Sequence, residues 1–314
     1  MSLALVFPGQ GSQSVGMGRA MADACPEARE VFARVDSALG GDALSTLCFE
    51  GPEDALTLTA NAQPAILAAS LACLAALRAR LPSLSPSHLA GHSLGEYSAL
   101  VASGALALED AARLVRLRGE AMQSAVAPGV GAMTASLLLD DDAVEAVCAE
   151  VRAELPGRAL STANVNAPGQ VVIAGHADAV ARAAELIESR GGKAMSLKVS
   201  APFHCALMEP AARALDAALA GVSVGPLSAP VVSNVEASPN ADPSRVRALL
   251  VRQVTGAVRW REGVARMVAE GVDTFVEVGP GRVLSGLIKR THRPARVFSV
   301  GDPEGLDAAV AALS

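Results

Sequence analysis

A serine flanked by glycines is the residue of this chain best suited to covalent chemistry. Gly91, Ser93 and Gly95 follow a short apolar segment and precede a run with helical character, which fits the pattern Gly-x-Ser-x-Gly. In a nucleophile elbow, the turn from strand to helix is too tight for side chains beside the serine, and it exposes the hydroxyl. The pattern predicts that Ser93 is a nucleophile for acyl transfer. The alternative is a glycine-rich turn whose serine only caps a helix.

A serine nucleophile needs a general base, and His204 is the best candidate. Pro202 and Phe203 precede it and indicate a rigid apolar loop, although a core histidine bonded to backbone fits the same signal. His92 is expected to point to the opposite side of its strand, and Cys205 to be a small buried filler. The carboxylates between Ser93 and His204 fall on helix surfaces or in a small insert. We therefore expect a backbone carbonyl, and not an acid, to orient the histidine.

One arginine occupies the apolar face of a predicted helix. At about 100° per residue, residues 109–126 place Arg118 in the middle of a stripe of Leu, Ala, Val and Met side chains. A buried guanidinium needs an anionic partner, because leaving it unpaired costs several kcal/mol. The position allows two interpretations: an internal salt bridge, or a bidentate site for a substrate carboxylate.

Composition excludes several classes of protein. The 314 residues are 51% hydrophobic and 18% charged, so the chain is not disordered. The net charge is −6 and lysines and arginines form no cluster, which argues against nucleic-acid binding. The scattered histidines predict no metal site, and five cysteines without a CxxC motif favour a reducing cytoplasm. The N-terminus does not resemble a signal peptide, and the longest apolar stretch, 65–77, is too short to cross a membrane.

The candidate residues must be positioned by an α/β fold. A continuous apolar run at 3–7 is typical of a buried parallel strand, and helical periodicity follows at 19–39, 63–80 and 109–126. Between 132 and 199 the pattern is β-α-β-β-α-β, as in ferredoxin-like folds. We therefore predict a parallel-sheet body formed by residues 1–127 and 200–314, with a small α+β subdomain inserted at 128–199.

Six blocks of this chain, in order, resemble the malonyl-CoA:acyl carrier protein transacylase family. The resemblance covers essentially the whole chain. It implies an α/β-hydrolase-like body with a ferredoxin-like subdomain, in agreement with the element pattern. The blocks are residues 7–13 (FPGQGSQ), 91–97 (GHSLGEY), 117–123 (LRGEAMQ), 164–175 (NVNAPGQVVIAG), 202–204 (PFH) and 277–281 (EVGPG).

The resemblance implies a role for individual residues. Ser93 resembles the serine that takes the malonyl group, His204 the base that later acts as acid, and Arg118 the arginine that binds the substrate carboxylate. The backbone N–H groups of Gln10 and Leu94 resemble the family's oxyanion hole.

Three further residues of the site follow from the same resemblance. Gln253 resembles the residue whose main-chain carbonyl orients the histidine. Phe203 precedes the base, and in related domains a phenylalanine there accompanies malonyl selectivity, because the ring fills the space that a methyl branch needs. Met122 is expected to line the apolar pocket with it.

The implied reaction is ping-pong transfer of malonyl from a coenzyme A thioester, which is a substrate, to acyl carrier protein for fatty acid synthesis. The resemblance implies a monomer without a permanently bound cofactor, and the composition predicts a cytoplasmic protein without nucleic-acid or membrane partners. A carrier protein is usually acidic, so a basic patch is expected on the surface of this protein that binds it. The residues that could form this patch could equally be ordinary solvated charges. The candidates are Lys193, Lys198, Lys289, Arg290 and Arg293.

Other functions remain open on the sequence. A serine hydrolase or thioesterase shares the elbow but predicts an acidic partner for His204 and does not need Arg118. A dinucleotide site is disfavoured, because Gly9-Gln10-Gly11 lacks the third glycine of its motif. Within the family, a trans-acting acyltransferase of a polyketide synthase or the transacylase subunit of malonate decarboxylase shares the chemistry and differs in the carrier.

Overall fold

A computed structural model describes the chain apart from Met1, Asp42, Lys198 and Ser200. Two β-sheets organise the fold. The strands are β1 (Leu3–Phe7), β2 (His88–Gly91), β3 (Gly131–Leu137), β4 (Leu160–Ala167), β5 (Gln170–His176), β6 (Lys193–Ser196), β7 (Val231–Val232), β8 (Pro239–Asn240), β9 (Thr274–Val278) and β10 (Arg296–Val300).

Helices cover both sheets. They are α1 (Arg19–Ala24), α2 (Pro26–Ala38), α3 (Leu44–Glu50), α4 (Glu53–Thr57), α5 (Thr59–Arg80), α6 (Gly95–Ala102), α7 (Leu108–Ser124), α8 (Asp141–Glu154), α9 (Ala177–Ser189), α10 (Glu209–Leu219), α11 (Pro243–Thr255), α12 (Trp260–Ala269), α13 (Val283–Thr291) and α14 (Pro303–Leu313), with a 3-10 turn at Ala206–Met208.

The larger sheet forms the body, and its order is β10-β9-β1-β2-β7-β8. All pairs from β10 to β7 are parallel, and only the short β8 runs antiparallel. The five residues of β1 are buried, as expected for a central strand covered on both faces. Because Phe7 pairs with Gly91, the carboxyl ends of β1 and β2 meet at one edge of the sheet. The parallel-sheet body predicted from the sequence is confirmed, and this edge carries the loops after both strands.

The smaller sheet is antiparallel throughout, in the order β4-β5-β3-β6. Its elements follow the chain as strand, helix, two strands, helix and strand. Helices α8 and α9 pack on it through a separate apolar cluster that includes Val147, Ile173 and Ile187. The molecule therefore has a second core beside that of the body, built from residues 131–196.

Several predicted boundaries are wrong. The single helix expected at 19–39 is two helices, because Cys25 is extended (φ −127°, ψ 115°) before Pro26, which begins α2. The helix expected from Gln63 begins at Thr59. The strand expected at 193–199 ends at Ser196. The helix expected to be last is followed by β10 and α14.

Helix α5 is longer than the apolar stretch seen in the sequence. Among the described residues it is the one helix long and apolar enough to cross a membrane, but 83% of its apolar window is buried inside the fold. It packs against α2 and α7 as the central helix of the body. Burial of this kind is typical of a core helix in a globular protein.

Candidate active site

The loop after β2 holds Ser93 in a turn that only glycine neighbours permit. Ser93 itself has φ +50°, a left-handed conformation that is uncommon for a residue with a side chain. A Cβ at Gly91 would lie 1.9 Å from the backbone of Gly95, and a Cβ at Gly95 would lie 2.1 Å from the carbonyl oxygen of Phe7. Both glycines are therefore required by close backbone approach, and the turn projects the serine hydroxyl away from the sheet.

His204 meets this hydroxyl although 111 residues separate the two along the chain. The Nε2 atom of His204 lies 2.8 Å from Ser93 Oγ, and Nδ1 lies 2.8 Å from the main-chain oxygen of Gln253. A carbonyl oxygen only accepts hydrogen bonds, so Nδ1 carries the proton and Nε2 is free to accept one. The histidine is oriented by a backbone carbonyl, as the sequence predicts.

The imidazole of His204 stays neutral in this environment. Burial, followed by the positive charge of Arg118, lowers its pKa to about 3. A neutral imidazole at neutral pH can take the proton of a serine that attacks a substrate.

Arg118 lies on the buried face of α7, only 2% exposed. Its Nη1 donates to Gln63 Oε1 (2.7 Å), and its Nη2 donates to Ser93 Oγ and Gln253 Oε1 (3.0 Å each). The guanidinium lies 5.7 Å from the ring centre of Tyr97. None of the described carboxylates forms an ion pair with it, so the internal salt bridge that the sequence left open is absent from the described chain. Its Nε is buried without a hydrogen-bond partner among the described groups.

Gln253 lies behind this set, fully buried on α11. Its Nε2 donates to the main-chain oxygen of Ser93 (2.9 Å) and to Glu96 Oε2 (2.8 Å). Its Oε1 accepts from Arg118, and its main-chain oxygen accepts from His204. One residue thus contacts the serine, the histidine and the arginine.

Sequence reasoning missed two residues that support the elbow. Asn234 Oδ1 accepts from the N–H of Ser93 (2.7 Å), and its Nδ2 donates to the carbonyl of Gly91 (2.7 Å). Glu96 Oε2 accepts from the N–H of Asn234 (3.1 Å) as well as from Gln253. A signal was present for Glu96, because it is the sole charged residue of the otherwise apolar α6. Asn234 follows β7 and carried no such signal.

The two proposed oxyanion donors lie at the carboxyl ends of neighbouring strands. Gln10 follows β1, and Leu94 follows the serine. Neither backbone N–H donates to another group in the part of the chain that is described. The side chain of Gln10 is held by Thr59 Oγ1 at 3.1 Å. Both residues line the cavity that Ser93 faces.

A cavity of about 470 Å³ brings the candidate residues together. Its lining includes Ser93, His204 and Arg118. Phe203 and Met122, which the sequence predicts as pocket residues, also line it, whereas Gln253 lies behind the wall. The smaller sheet and the chain that follows it contribute the other side. That side is formed by Met133, Asn164, Leu197 and Val199.

Two further side chains considered in the sequence analysis are His92 and Cys205. His92 borders the cavity, while its ring lies near Trp260 (5.8 Å between ring centres) and its Nε2 lies 2.8 Å from Asn166 Oδ1. Cys205 is fully buried, its Sγ contacts the carbonyl oxygen of Pro202 (3.1 Å), and burial raises its thiol pKa to about 11. It is a small buried filler, as predicted.

The described basic residues considered for carrier binding lie on two elements. Lys193 lies on β6, whereas Lys289 and Arg290 end α13 and Arg293 follows it. Lys289 Nζ donates to the carbonyl oxygen of Ala295. Arg290 donates to Gln170 and Pro168 in the turn between β4 and β5. Lys198 lies outside the described residues.

Comparison with known proteins identifies the family of this chain. Residues 4–308 match the acyl transferase domain family. The malonyl CoA-acyl carrier protein transacylase of Bacillus subtilis (strain 168) is 44% identical over 312 residues, which cover 99% of this chain and 97% of that protein. The crystal structure of an acyl-carrier-protein-S-malonyltransferase from Bartonella henselae superposes with a TM-score of 0.95 at 46% identity, covering 100% and 99% of the two chains.

A further similar structure is a malonyl-transacylase in complex with a type II PKS acyl-carrier protein. It has a TM-score of 0.94 and 43% identity and covers 99% of this chain and all of its own. Sequence and fold agree over the full length in each case. The chain belongs to the malonyl CoA-acyl carrier protein transacylase family.

Proposed function

We propose that this protein transfers the malonyl group from malonyl-CoA to the phosphopantetheine thiol of an acyl carrier protein, through a malonyl ester on Ser93. One observation carries the proposal: a serine–histidine pair and a buried arginine, which has no carboxylate partner among the described residues, converge in one cavity. A hydrolase needs the first two groups only. The arginine adds a site for an anionic acyl group.

The first half-reaction follows from the contacts of Ser93. Its Oγ attacks the thioester carbonyl while His204 Nε2, 2.8 Å away, takes the hydroxyl proton. The negative charge that develops on the carbonyl oxygen is stabilised by the N–H groups of Gln10 and Leu94. The C–S bond then breaks, His204 returns the proton to the sulfur, and coenzyme A leaves with malonyl esterified to the serine.

The second half-reaction runs the same steps in reverse. The carrier thiol gives its proton to His204 and attacks the ester carbonyl. The C–O bond breaks, Ser93 Oγ regains a proton from His204, and the malonyl thioester leaves on the carrier. Acid and base duties fall on one imidazole because both half-reactions pass through the same tetrahedral geometry.

Arg118 selects the acyl group. Its Nη1 donates once, to Gln63, and retains one hydrogen for a substrate carboxylate. The apolar walls at Met122, Leu94 and Phe203 exclude water around the ester, which favours transfer over hydrolysis.

The hydrolase alternative predicted a carboxylate at His204 Nδ1, and the carbonyl of Gln253 lies there instead.

We propose a fatty-acid carrier as the acceptor. Polyketide and malonate decarboxylase carriers are the alternatives, and transfer to a panel of purified carriers from one cell separates them. We further propose a cytoplasmic monomer without a permanently bound cofactor or nucleic-acid or membrane partners. We also propose that the body is α/β-hydrolase-like and that residues 128–199 form a ferredoxin-like subdomain.

Mass spectrometry after incubation with malonyl-CoA tests the scheme. The native protein is expected to gain one malonyl group and to lose it when holo carrier protein is added. Ser93→Ala should gain none. Cys205→Ala is the matched control and should gain the group normally, because that thiol is protonated and buried. Malonyl mass on Ser93→Ala would overturn the assignment of the nucleophile.

A further inference from the structure

Glu96 is a buried carboxyl group that the mechanism above does not use. It is 3% exposed and lies in the first turn of α6, three residues after Ser93. Its Oε2 accepts from Gln253 Nε2 (2.8 Å) and from the N–H of Asn234 (3.1 Å). No described Lys, Arg or His forms an ion pair with it. A buried carboxylate held only by neutral donors is costly, so its presence calls for a reason.

The connection from Glu96 to the reacting groups runs through one amide. The side chain of Gln253 has Glu96 on its nitrogen side and Arg118 on its oxygen side. A carboxylate only accepts and a guanidinium only donates, so a single orientation of the amide satisfies both. The same residue bonds His204 through its main-chain oxygen. Glu96 and the main-chain oxygen of Ser93, which both accept from Gln253 Nε2, therefore fix which end of Gln253 faces the arginine.

The positive charges of the site give a second reason for a buried carboxylate at position 96. When Ser93 loses its proton, His204 becomes an imidazolium in a buried site that already holds the cation Arg118. Two buried positive charges without an anion are unfavourable. In serine–histidine–aspartate sites the acid contacts the histidine directly. Here Gln253 connects the histidine to a carboxylate, that of Glu96.

We propose that Glu96 is a positioning residue of the transfer reaction: its ionised carboxylate fixes the amide of Gln253 and supplies the negative charge that offsets Arg118 and the transient imidazolium. This inference rests on the proposed function and concerns the same site. Because Gln253 lies between the carboxylate of Glu96 and the guanidinium of Arg118, the guanidinium stays available for the substrate.

The groups that face Glu96 decide when it is ionised. Arg118 on α7 favours the charged form, and Glu236 after β7 opposes it. Gln253 and Asn234 donate hydrogen bonds that favour the charged form. Burial outweighs these contributions and raises the pKa of Glu96 to about 7, whereas the pKa of His204 is lowered to about 3. Between pH 5 and 9, Glu96 is thus the group of this pair that titrates.

Phosphorylation of Ser93 by diisopropyl fluorophosphate tests the inference without a malonyl substrate. In that reaction Ser93 Oγ bonds to phosphorus, fluoride leaves, and His204 takes the serine proton. The second-order rate constant is measured from pH 5 to 9 for the native chain, Glu96→Gln and Glu277→Gln. Glutamine at 96 keeps an acceptor for Gln253 and removes the charge. Glu277 is an equally buried acid whose partners are Leu284 and Ser285 on α13, and it serves as the control.

The native rate constant is expected to rise through a midpoint near pH 7 to a plateau. Glu96→Gln should lack this step and react about tenfold more slowly at pH 8, from the loss of one nearby charge. Glu277→Gln should retain the native profile. A merely structural role of Glu96 would lower the thermal midpoint without removing the step.

Three results would overturn the inference. They are a native profile without the step, a Glu96→Gln rate equal to the native rate at pH 8, and loss of the step in Glu277→Gln. The native profile needs no variant, so a failure of Glu96→Gln to fold leaves the inference testable. Failure of the proposed function is seen separately, as absence of malonyl mass on a native protein that still reacts with the fluorophosphate.

Discussion

Arg118 Nη2 donates to Ser93 Oγ at 3.0 Å, so the group proposed to bind the acyl carboxylate also contacts the proposed nucleophile. The helix α7, which carries the arginine, packs closely against the start of α5. The close approach requires glycine at position 119, because a Cβ there would lie 2.6 Å from the carbonyl oxygen of Thr59. The proposed selection of the acyl group and a hydrogen bond to the serine hydroxyl therefore belong to one side chain.

Arg118→Ala should reduce kcat/KM for malonyl-CoA far more than for acetyl-CoA. Each hydrogen bond to a charged group contributes about 1.5–3 kcal/mol, so losing two corresponds to roughly 100-fold or more. The measurement is the ratio of the two kcat/KM values. Arg118→Lys, which keeps a charge but not the fork of donors, should fall between native and alanine. An unchanged ratio in Arg118→Ala would contradict the carboxylate site.

The pKa of His204 is expected to be about 3, lowered first by burial and then by Arg118. Between this value and the ordinary 6.5, the unfolded chain binds a proton that the folded chain does not. This group therefore favours unfolding as the pH falls from 6.5 towards 3, and has no effect above 6.5. NMR titration of the imidazole C2 proton measures the pKa directly. Arg118→Ala should raise it, and a native midpoint near 6.5 would refute the account.

Gly95→Ala should destabilise the protein and abolish serine labelling. The added Cβ would lie 2.1 Å from the carbonyl oxygen of Phe7, so the elbow or β1 must shift, at a cost of roughly 1–3 kcal/mol or more. Gly286→Ala is the matched control, because that helical glycine has nothing within 4 Å of the added atom. It should stabilise α13 by about 0.5–1 kcal/mol. Chemical denaturation and fluorophosphate labelling of both variants provide the comparison.

Phe203→Ala should relax selection between malonyl-CoA and methylmalonyl-CoA. The ring is buried and lines the cavity beside His204, so its removal opens space for a methyl branch. Discrimination by fit of this size is about 1–3 kcal/mol, which corresponds to roughly 10- to 200-fold in the ratio of kcat/KM. Met122→Ala enlarges the same cavity and shows whether any added volume suffices. An unchanged ratio in Phe203→Ala would exclude the ring as the selective group.

Glu96 should make the fold less stable as the pH rises. Its pKa is raised from 4.5 to about 7, so between these values the folded chain binds a proton that the unfolded chain has lost. This effect is absent below 4.5 and complete above 7, where it amounts to about 3 kcal/mol. Glu96→Gln should therefore be more stable than the native chain at pH 8 and similar at pH 4.5. Urea denaturation at both pH values decides, and equal stability at pH 8 would contradict the raised pKa.

The sequence predicts those parts of the site that rest on local patterns. The glycines at 91 and 95 indicate the elbow, and the position of Arg118 on an apolar helix face indicates a buried cation. Asn234 acts through contacts with a segment about 140 residues away, which no local pattern reveals, whereas Glu96 has a local signal as the sole charged residue of α6.

The fold was predictable to a similar extent. Apolar runs indicate the central strands because burial on both faces leaves a continuous signal, as in β1. β10 is partly exposed at the sheet edge and gives a weaker one. The break at Cys25 could have been predicted, since Pro26 restricts the residue before it.

The smaller sheet contributes to the wall of the cavity but not to the hydrogen bonds among the candidate catalytic residues. Every hydrogen bond described between Ser93, His204, Gln253 and Arg118 is made within the body, whereas Met133 and Leu197 belong to the smaller sheet and the segment after it. Substitutions in that smaller unit can reshape the chamber for a different acyl chain and leave proton transfer intact.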